Sequence, residues 1–232
     1  MKRFWSETAV VPVATGFAVR LDDRPLMTPA RAPLDVPTRA LADGIAAEWQ
    51  AQGDRVDPLS MPLTRAANAA IDRVRPGQAE IAARIAEFGR SDLVCYRAPE
   101  PARLVARQAA AWDPLLDWAA ERYGARLRLG EGVMFVTQDD GALDRLRNAV
   151  EAFDAWGLTA LHDLVALSGS LVIGLAVAEG RIDAAEGWRA GRIDEDWNAE
   201  AWGEDAEAAA DAADRRTAFL SAERLLGLLR RP

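Results

Sequence analysis

The chain has 232 residues, half of them hydrophobic and 28% charged, which allows one large or two small globular domains with a real core. A formal charge of −8 with no basic run argues against nucleic-acid binding and favours a neutral or basic protein partner. The single cysteine excludes an internal disulfide and a multi-cysteine zinc site.

Residues 1–30 read as strands. "TAVVPVA" and "FAVRLD" flank Thr15-Gly16, a hairpin signal, and "DDRP" is a second turn leading to "LMTP". Pro12 confines the first strand to an edge or a bulge. From Pro37 the pattern turns helical: Thr38 can cap, Leu41, Ile45 and Trp49 recur every four residues, and Gly53 can terminate. "MPLTRAANAAIDRV" and "QAEIAARIAEFG" predict two more helices, while "DLVCYRA" fits a short strand or a buried extended segment equally well. "PARLVARQAAAWDPLLDWAAERYG" is expected to break or restart at Asp113-Pro114. "ARLRLGEGVMFV" is the one later stretch with β character, and four helices follow, at about 140–153, 156–179, 183–202 and 204–229.

This pattern predicts an α+β fold: a small N-terminal antiparallel sheet with helices over residues 1–98, then a C-terminal helical bundle over 99–232, with residues 125–137 able to return to the first sheet. The most apolar run, 164–178, is too short to span a bilayer, and its Ser168, Gly169 and Ser170 suit a tightly packed buried helix. "MKRFWSETAV" has no apolar segment behind its basic start, so no secretory leader is expected, and the bacterial cytoplasm is the expected compartment.

Catalytic motifs are scarce. The lone histidine, His162, reads as a satisfied structural residue; Asp163 is its neighbour on a helix and points about 100° away. Cys95 lies in an apolar stretch and reads as a buried inert thiol. No dinucleotide or phosphate-binding glycine motif occurs, and no cofactor is implied.

The acids of "GRIDEDWNAEAWGED" (191–205) are the remaining candidates. Asp194, Glu195 and Asp196 fan across roughly 200° of a helix and cannot converge on one ion. Glu200 and Glu204 share a face without a histidine or asparagine to complete a site, so no metal is expected. Ile193, Trp197 and Ala201 form a stripe that reads as core, with Glu195 almost opposite it. Trp202, seven residues after Glu195 and about 20° away, shares its face. That face is either a solvated surface with a partly covered tryptophan or an acid-plus-aromatic docking patch.

An ordered set of stretches resembles a known family, the assembly chaperones of F-type ATP synthase that shield the α subunit. It comprises "KRFW", "LDDRPLMTP", "AAEWQAQG", "MPLTRAANAAID", "SDLVCYR", "AWDPLLDWAAERYG", "LHDLVALSGSLVIGLAVAEG" and "RIDEDWNAEAWGED", and covers nearly the whole chain. The resemblance implies a non-enzymatic protein, expected as a monomer. It would cover the unassembled α subunit until that subunit pairs with β, in the mitochondrial matrix for eukaryotic relatives. It implies functional weight for Trp49 in "AEW" and Glu195 in "RIDE"; helical spacing adds Trp202 as a further partner residue and Trp197 in a structural role. Trp49 can also act through folding alone, because its spacing puts it on the buried stripe. Gly191 departs from the serine more usual in the family and is expected to weaken its helix locally. A carboxylate-cluster enzyme and a general adapter or stress protein are the alternatives.

Overall fold

The computed structural model describes residues 1–132, 134–203 and 205–231. Two compact units form: Met1–Gln78 with Ala155–Ala160 and Arg224–Pro232, and Ala79–Asp154 with Leu161–Glu223. They follow spatial contacts rather than chain order, so residues 79–98 fall with the helical part.

In the first unit, β1 (Thr8–Val13) and β2 (Gly16–Leu21) make the expected hairpin, in register from Thr8 opposite Leu21 to Val13 opposite Gly16. The two-residue loop is therefore Ala14-Thr15, one position earlier than the sequence suggested. Gly16 has φ +137°, and a Cβ there would run into the carbonyl of Val36, so this strand start requires glycine. The short strands β3 (Arg24–Pro25) and β4 (Asp35–Val36) both pair with β2 on its other side. That leaves β1, with Pro12, on the edge.

Helix α1 (Arg39–Gln50) starts at Thr38, whose hydroxyl accepts from the Leu41 N–H. It buries Leu41, Ile45 and Trp49 against β1 and β2. The helix ends at Ala51, before Gly53. Helix α2 (Pro62–Ala69) has no cap of its own; the Glu48 carboxylate, from α1, accepts from Leu63 N at 2.7 Å and Thr64 N at 2.8 Å. The helix widens into a π-turn over Ala70–Val74.

The second unit holds α3 (Gln78–Ala86), β5 (Tyr96–Arg97), α4 (Ala102–Tyr123), β6 (Gly130–Glu131) and α5 (Asp140–Glu151). It continues with α6 (Ala155–Ser168), α7 (Leu171–Ala178), α8 (Ala184–Ala190), α9 (Ile193–Trp202) and α10 (Ala206–Leu229). The first turns of α6 and the end of α10 belong to the first unit. The architecture is thus α+β, a small N-terminal antiparallel sheet followed by a helical region.

Several local expectations change. Helix α4 runs unbroken through Pro114. The proline forfeits one backbone bond, but Leu104, Gln108, Trp112, Leu115 and Ala119 are buried on both sides of it, and Trp112 Nε1 donates to the Ala190 carbonyl at 2.8 Å. Residues 130–131 do not return to the N-terminal sheet; they pair in parallel with β5, in a separate two-stranded sheet.

The four C-terminal helices become six. Gly169, at φ +71°, ends α6, and Ser170 caps α7 by accepting from Ile173 N at 3.0 Å. The Ser-Gly-Ser run is therefore a helix break rather than a packing stripe. The second break lies between α8 and α9, where a Cβ on Gly191 would stand 3.1 Å from the Ser168 backbone. Gly191 thus sits in a helix junction that favours a small residue, and no helix interior is weakened by it. Among the described residues, no helix is long and apolar enough to cross a membrane.

Candidate functional site

Among the described residues, no group of three or more histidine, cysteine or acidic side chains is placed to hold a metal ion. Cys95 is fully buried, and burial raises its thiol pKa far above the usual value. His162 is exposed rather than part of the structural core, and its Nδ1 lies 3.0 Å from Asp163 Oδ1. The two neighbours meet despite their angular offset, because both side chains are free to swing in solvent. That hydrogen bond raises the His162 pKa. No nucleophile joins the pair in any described hydrogen bond.

The acidic helix α9 is laid along α4 by side chains. Gln108, 1% exposed, accepts from Ala98 N at 2.8 Å and donates to Asp194 Oδ1 at 2.6 Å. Nearly two turns further along α9, Arg107 Nη1 donates to both oxygens of Glu200, at 2.8 and 2.9 Å. Just ahead of α9, Trp112 holds the Ala190 carbonyl. Arg192 reaches Asp196 at 3.4 Å while its guanidinium lies 5.4 Å from the centre of the Trp188 ring, which in turn tilts against Phe219.

The consequence is selective. Asp194, Asp196 and Glu200 are all tied within the fold. Glu195 is exposed and has no hydrogen bond or ion pair among the described residues. The same geometry exposes Trp202, at 88% the most open large apolar side chain described. Three acids in the first turn suit the positive end of the helix dipole, so α9 tolerates an unpaired Glu195.

The family model described as ATP12 chaperone protein matches residues 2–120, just over half of the chain. The chain belongs to the ATP12 chaperone family. It is 50% identical to Atp12 from Paracoccus denitrificans, whose crystal structure superposes with a TM-score of 0.96 over 99% of this chain and 98% of that one. An aspartate-to-lysine mutant of the same Paracoccus protein superposes at 0.95, again with 50% identity and the same coverage. The mitochondrial atp12 protein of Schizosaccharomyces pombe is 24% identical over 214 residues, 87% of this chain and 74% of that protein. By family, therefore, this is a chaperone of ATP synthase assembly.

Within this ATP12-family chain, Trp49 is 8% exposed, edge-on to Trp5 with ring centres 5.2 Å apart, as its stripe predicts. The α9 stripe is only partly core: Ile193 is buried, Trp197 half-buried and Ala201 exposed. Among the described residues, none covers Ala201 or Trp202 at the far end of this helix. Glu204 lies outside the described residues. Sequence reasoning missed Gln108 and Arg107. Gln108 had a readable signal: it is the one polar residue on the Leu104, Trp112, Leu115, Ala119 stripe, and a polar group on a buried stripe needs partners. Asp92, fully buried, was also missed. It accepts from Val94 N at 3.2 Å and Val172 N at 3.0 Å, linking the segment before β5 to the start of α7.

Proposed function

We propose that this chain binds the unassembled α subunit of ATP synthase in the bacterial cytoplasm and shields it, as a monomer, until it pairs with β subunits, without catalysis, metal or cofactor. The observation that carries this reading is the free Glu195 carboxylate, held outward by a helix whose other acids from 194 to 200 are bonded within the fold. An exposed acid with nothing to satisfy it contributes little to folding. Two turns before a large exposed tryptophan on the same helix, it has the composition of an interface anchor. The partner site that fits it is basic or rich in hydrogen-bond donors, with apolar surface for Trp202. An unassembled subunit exposes apolar interface of that kind, which aggregates if left bare.

The test is binding of purified α and β subunits to the wild-type chain and to Glu195→Lys. Reversing this charge should leave the thermal midpoint almost unmoved. It should weaken α binding by about 2–5 kcal/mol if the contact is buried, and less at a rim. Asp194 and Asp196 make poor controls because each is bonded inside the fold. The exposed Glu207 on α10 is a cleaner one, and Glu207→Lys should do less. Equal binding of α and β, or full binding by a folded Glu195→Lys variant, defeats the proposal.

A further inference from the structure

We propose that the cavity between the end of α4, one face of α5 and the end of α7 receives the C-terminus of a polypeptide whose last side chain is apolar. All its walls belong to the second unit and none comes from α9, so the site stands apart from Glu195.

The cavity measures about 570 Å³, within the roughly 300–1,000 Å³ usual for ligand sites. Helix α5 supplies one wall, where helical spacing sets Arg145, Asn148, Ala149 and Ala152 on one face. Phe153, just past α5, and Tyr123, the last residue of α4, add aromatic surface.

The hydrogen bonds decide which groups are left for a ligand. Glu179, at the end of α7, is committed: it accepts from Arg122 Nε and from the Tyr123 hydroxyl, each at 2.7 Å. Burial and this carboxylate raise the Tyr123 pKa, so the phenol keeps its proton and its bond at neutral pH. Arg145 and Asn148 have no hydrogen bond or ion pair among the described residues. The acids near Arg145 are turned elsewhere. Asp139 caps α5 through Ala142 N at 2.9 Å, and Asp144 pairs with Arg147 at 3.1 Å. Asp140, Asp144 and Glu151 lie about 100–140° round the helix from Arg145. A Cβ at Gly124 would stand 3.4 Å from Arg145 Cδ, and one at Gly141 3.3 Å from its Nη1. The arginine is thus laid between two bare backbones, and a side chain placed in advance loses little freedom on binding.

A free guanidinium, a free amide and an apolar wall select the occupant. The guanidinium takes a carboxylate through two parallel hydrogen bonds. The amide, donor and acceptor at once, pairs with the C=O and N–H of a peptide unit. A chain end carries both groups side by side and offers its last side chain to Ala149, Ala152 and Phe153. A small free acid would leave Asn148 unused, and a phosphate would leave the apolar wall bare.

The experiment is fluorescence anisotropy on the full chain with the fluorescein-labelled peptide Gly-Ser-Gly-Ala-Ala-Phe, as free acid and as C-terminal amide. The free acid should bind saturably, and the amide about tenfold more weakly or worse. Arg145→Gln should lose binding to the same degree with its thermal midpoint unmoved, because the side chain is exposed. Arg145→Lys should recover part of the loss, since it keeps the charge without the fork. Replacing the terminal Phe of the peptide with Asp should abolish measurable binding. Glu195→Lys should bind the peptide as the wild type does, whatever its effect on α-subunit binding, so this site and the reading above fail separately. Equal binding of acid and amide, full binding by Arg145→Gln, or no saturable binding overturns the proposal. Loss of peptide binding in Glu195→Lys places the peptide on α9 and overturns it as well. So does phenylacetate or inorganic phosphate competing as well as the unlabelled peptide, which would assign the cavity to a free acid or to any anion.

Discussion

Helix α1 repeats an apolar residue every four positions, at Leu41, Ile45 and Trp49; helix α9 does the same at Ile193, Trp197 and Ala201. In α1 all three are buried, whereas in α9 the burial fades from Ile193 through Trp197 to an exposed Ala201. The difference lies in what faces each stripe. Two strands run beneath α1 along its length. Helix α9 is held instead at discrete points, by Gln108 on Asp194 and by Arg107 on Glu200. Periodicity identifies which side of a helix is apolar, and tertiary contacts decide how much of it is covered. A helix held by polar straps can keep its remaining side chains for another molecule.

That contrast can be broken from the α1 side first. Trp49→Arg removes a ring packed on Trp5 and buries an unpaired cation, so it should cost about 4 kcal/mol or more, read as a lower urea midpoint. Trp49 Nε1 has no hydrogen-bond partner among the described residues, so Trp49→Phe should cost far less. An unmoved midpoint for Trp49→Arg with lost partner binding would make Trp49 a contact residue instead.

Borrowed caps extend the comparison to both units. Asp92→Ala strands the buried N–H groups of Val94 and Val172 and should cost about 2–4 kcal/mol. Burial raises the Asp92 pKa from 3.8 to about 6, against the pull of its four donors, Ser170 and the Val172, Val94 and Leu171 backbones. The folded chain keeps this proton where the unfolded chain has lost it. The group's contribution to stability is thus complete below pH 3.8 and lost as pH rises to about 6. Asp92→Asn should remove that dependence, so the difference in stability between wild type and variant should slope across this window. A flat difference would mean that Asp92 is ionised throughout.

Glu48→Ala, in the first unit, uncaps α2 and should cost about 1–3 kcal/mol, because Leu63 N, Thr64 N and the Thr64 hydroxyl lose a charged acceptor. Smallest of all, Trp202→Ala should shift stability by less than about 0.5 kcal/mol. A large loss there would show that Trp202 packs on the fold in solution.

The sequence carried the hairpin, the Thr38 cap and the α1 stripe because each depends on neighbours a few residues away. Its helix boundaries went astray where distant contacts intervene. Pro114 reads as a break until Trp112 is seen anchored to Ala190, and Ser168-Gly169-Ser170 reads as packing until Asp92 and Ser170 are seen capping α7. The outward turn of Glu195 was readable from helical geometry alone. Its isolation was not, since that depends on Arg107, Gln108 and Arg192 each claiming a different neighbouring acid.

The Thr38 hydroxyl donates to the carbonyl of Leu228, 190 residues downstream, at 2.9 Å. Residues 155–160 and 224 onwards complete a unit otherwise made from the first 78. At synthesis rates of roughly 5–20 residues per second, the hairpin and α1 leave the ribosome about 10–40 s before the segment that closes over them. During that interval the Leu63 side of α1, where Leu228 also packs near Gly44, lacks its last partner. A member of an assembly-chaperone family thus passes, each time it is made, through a nascent stage in which its own sheet unit stands unfinished.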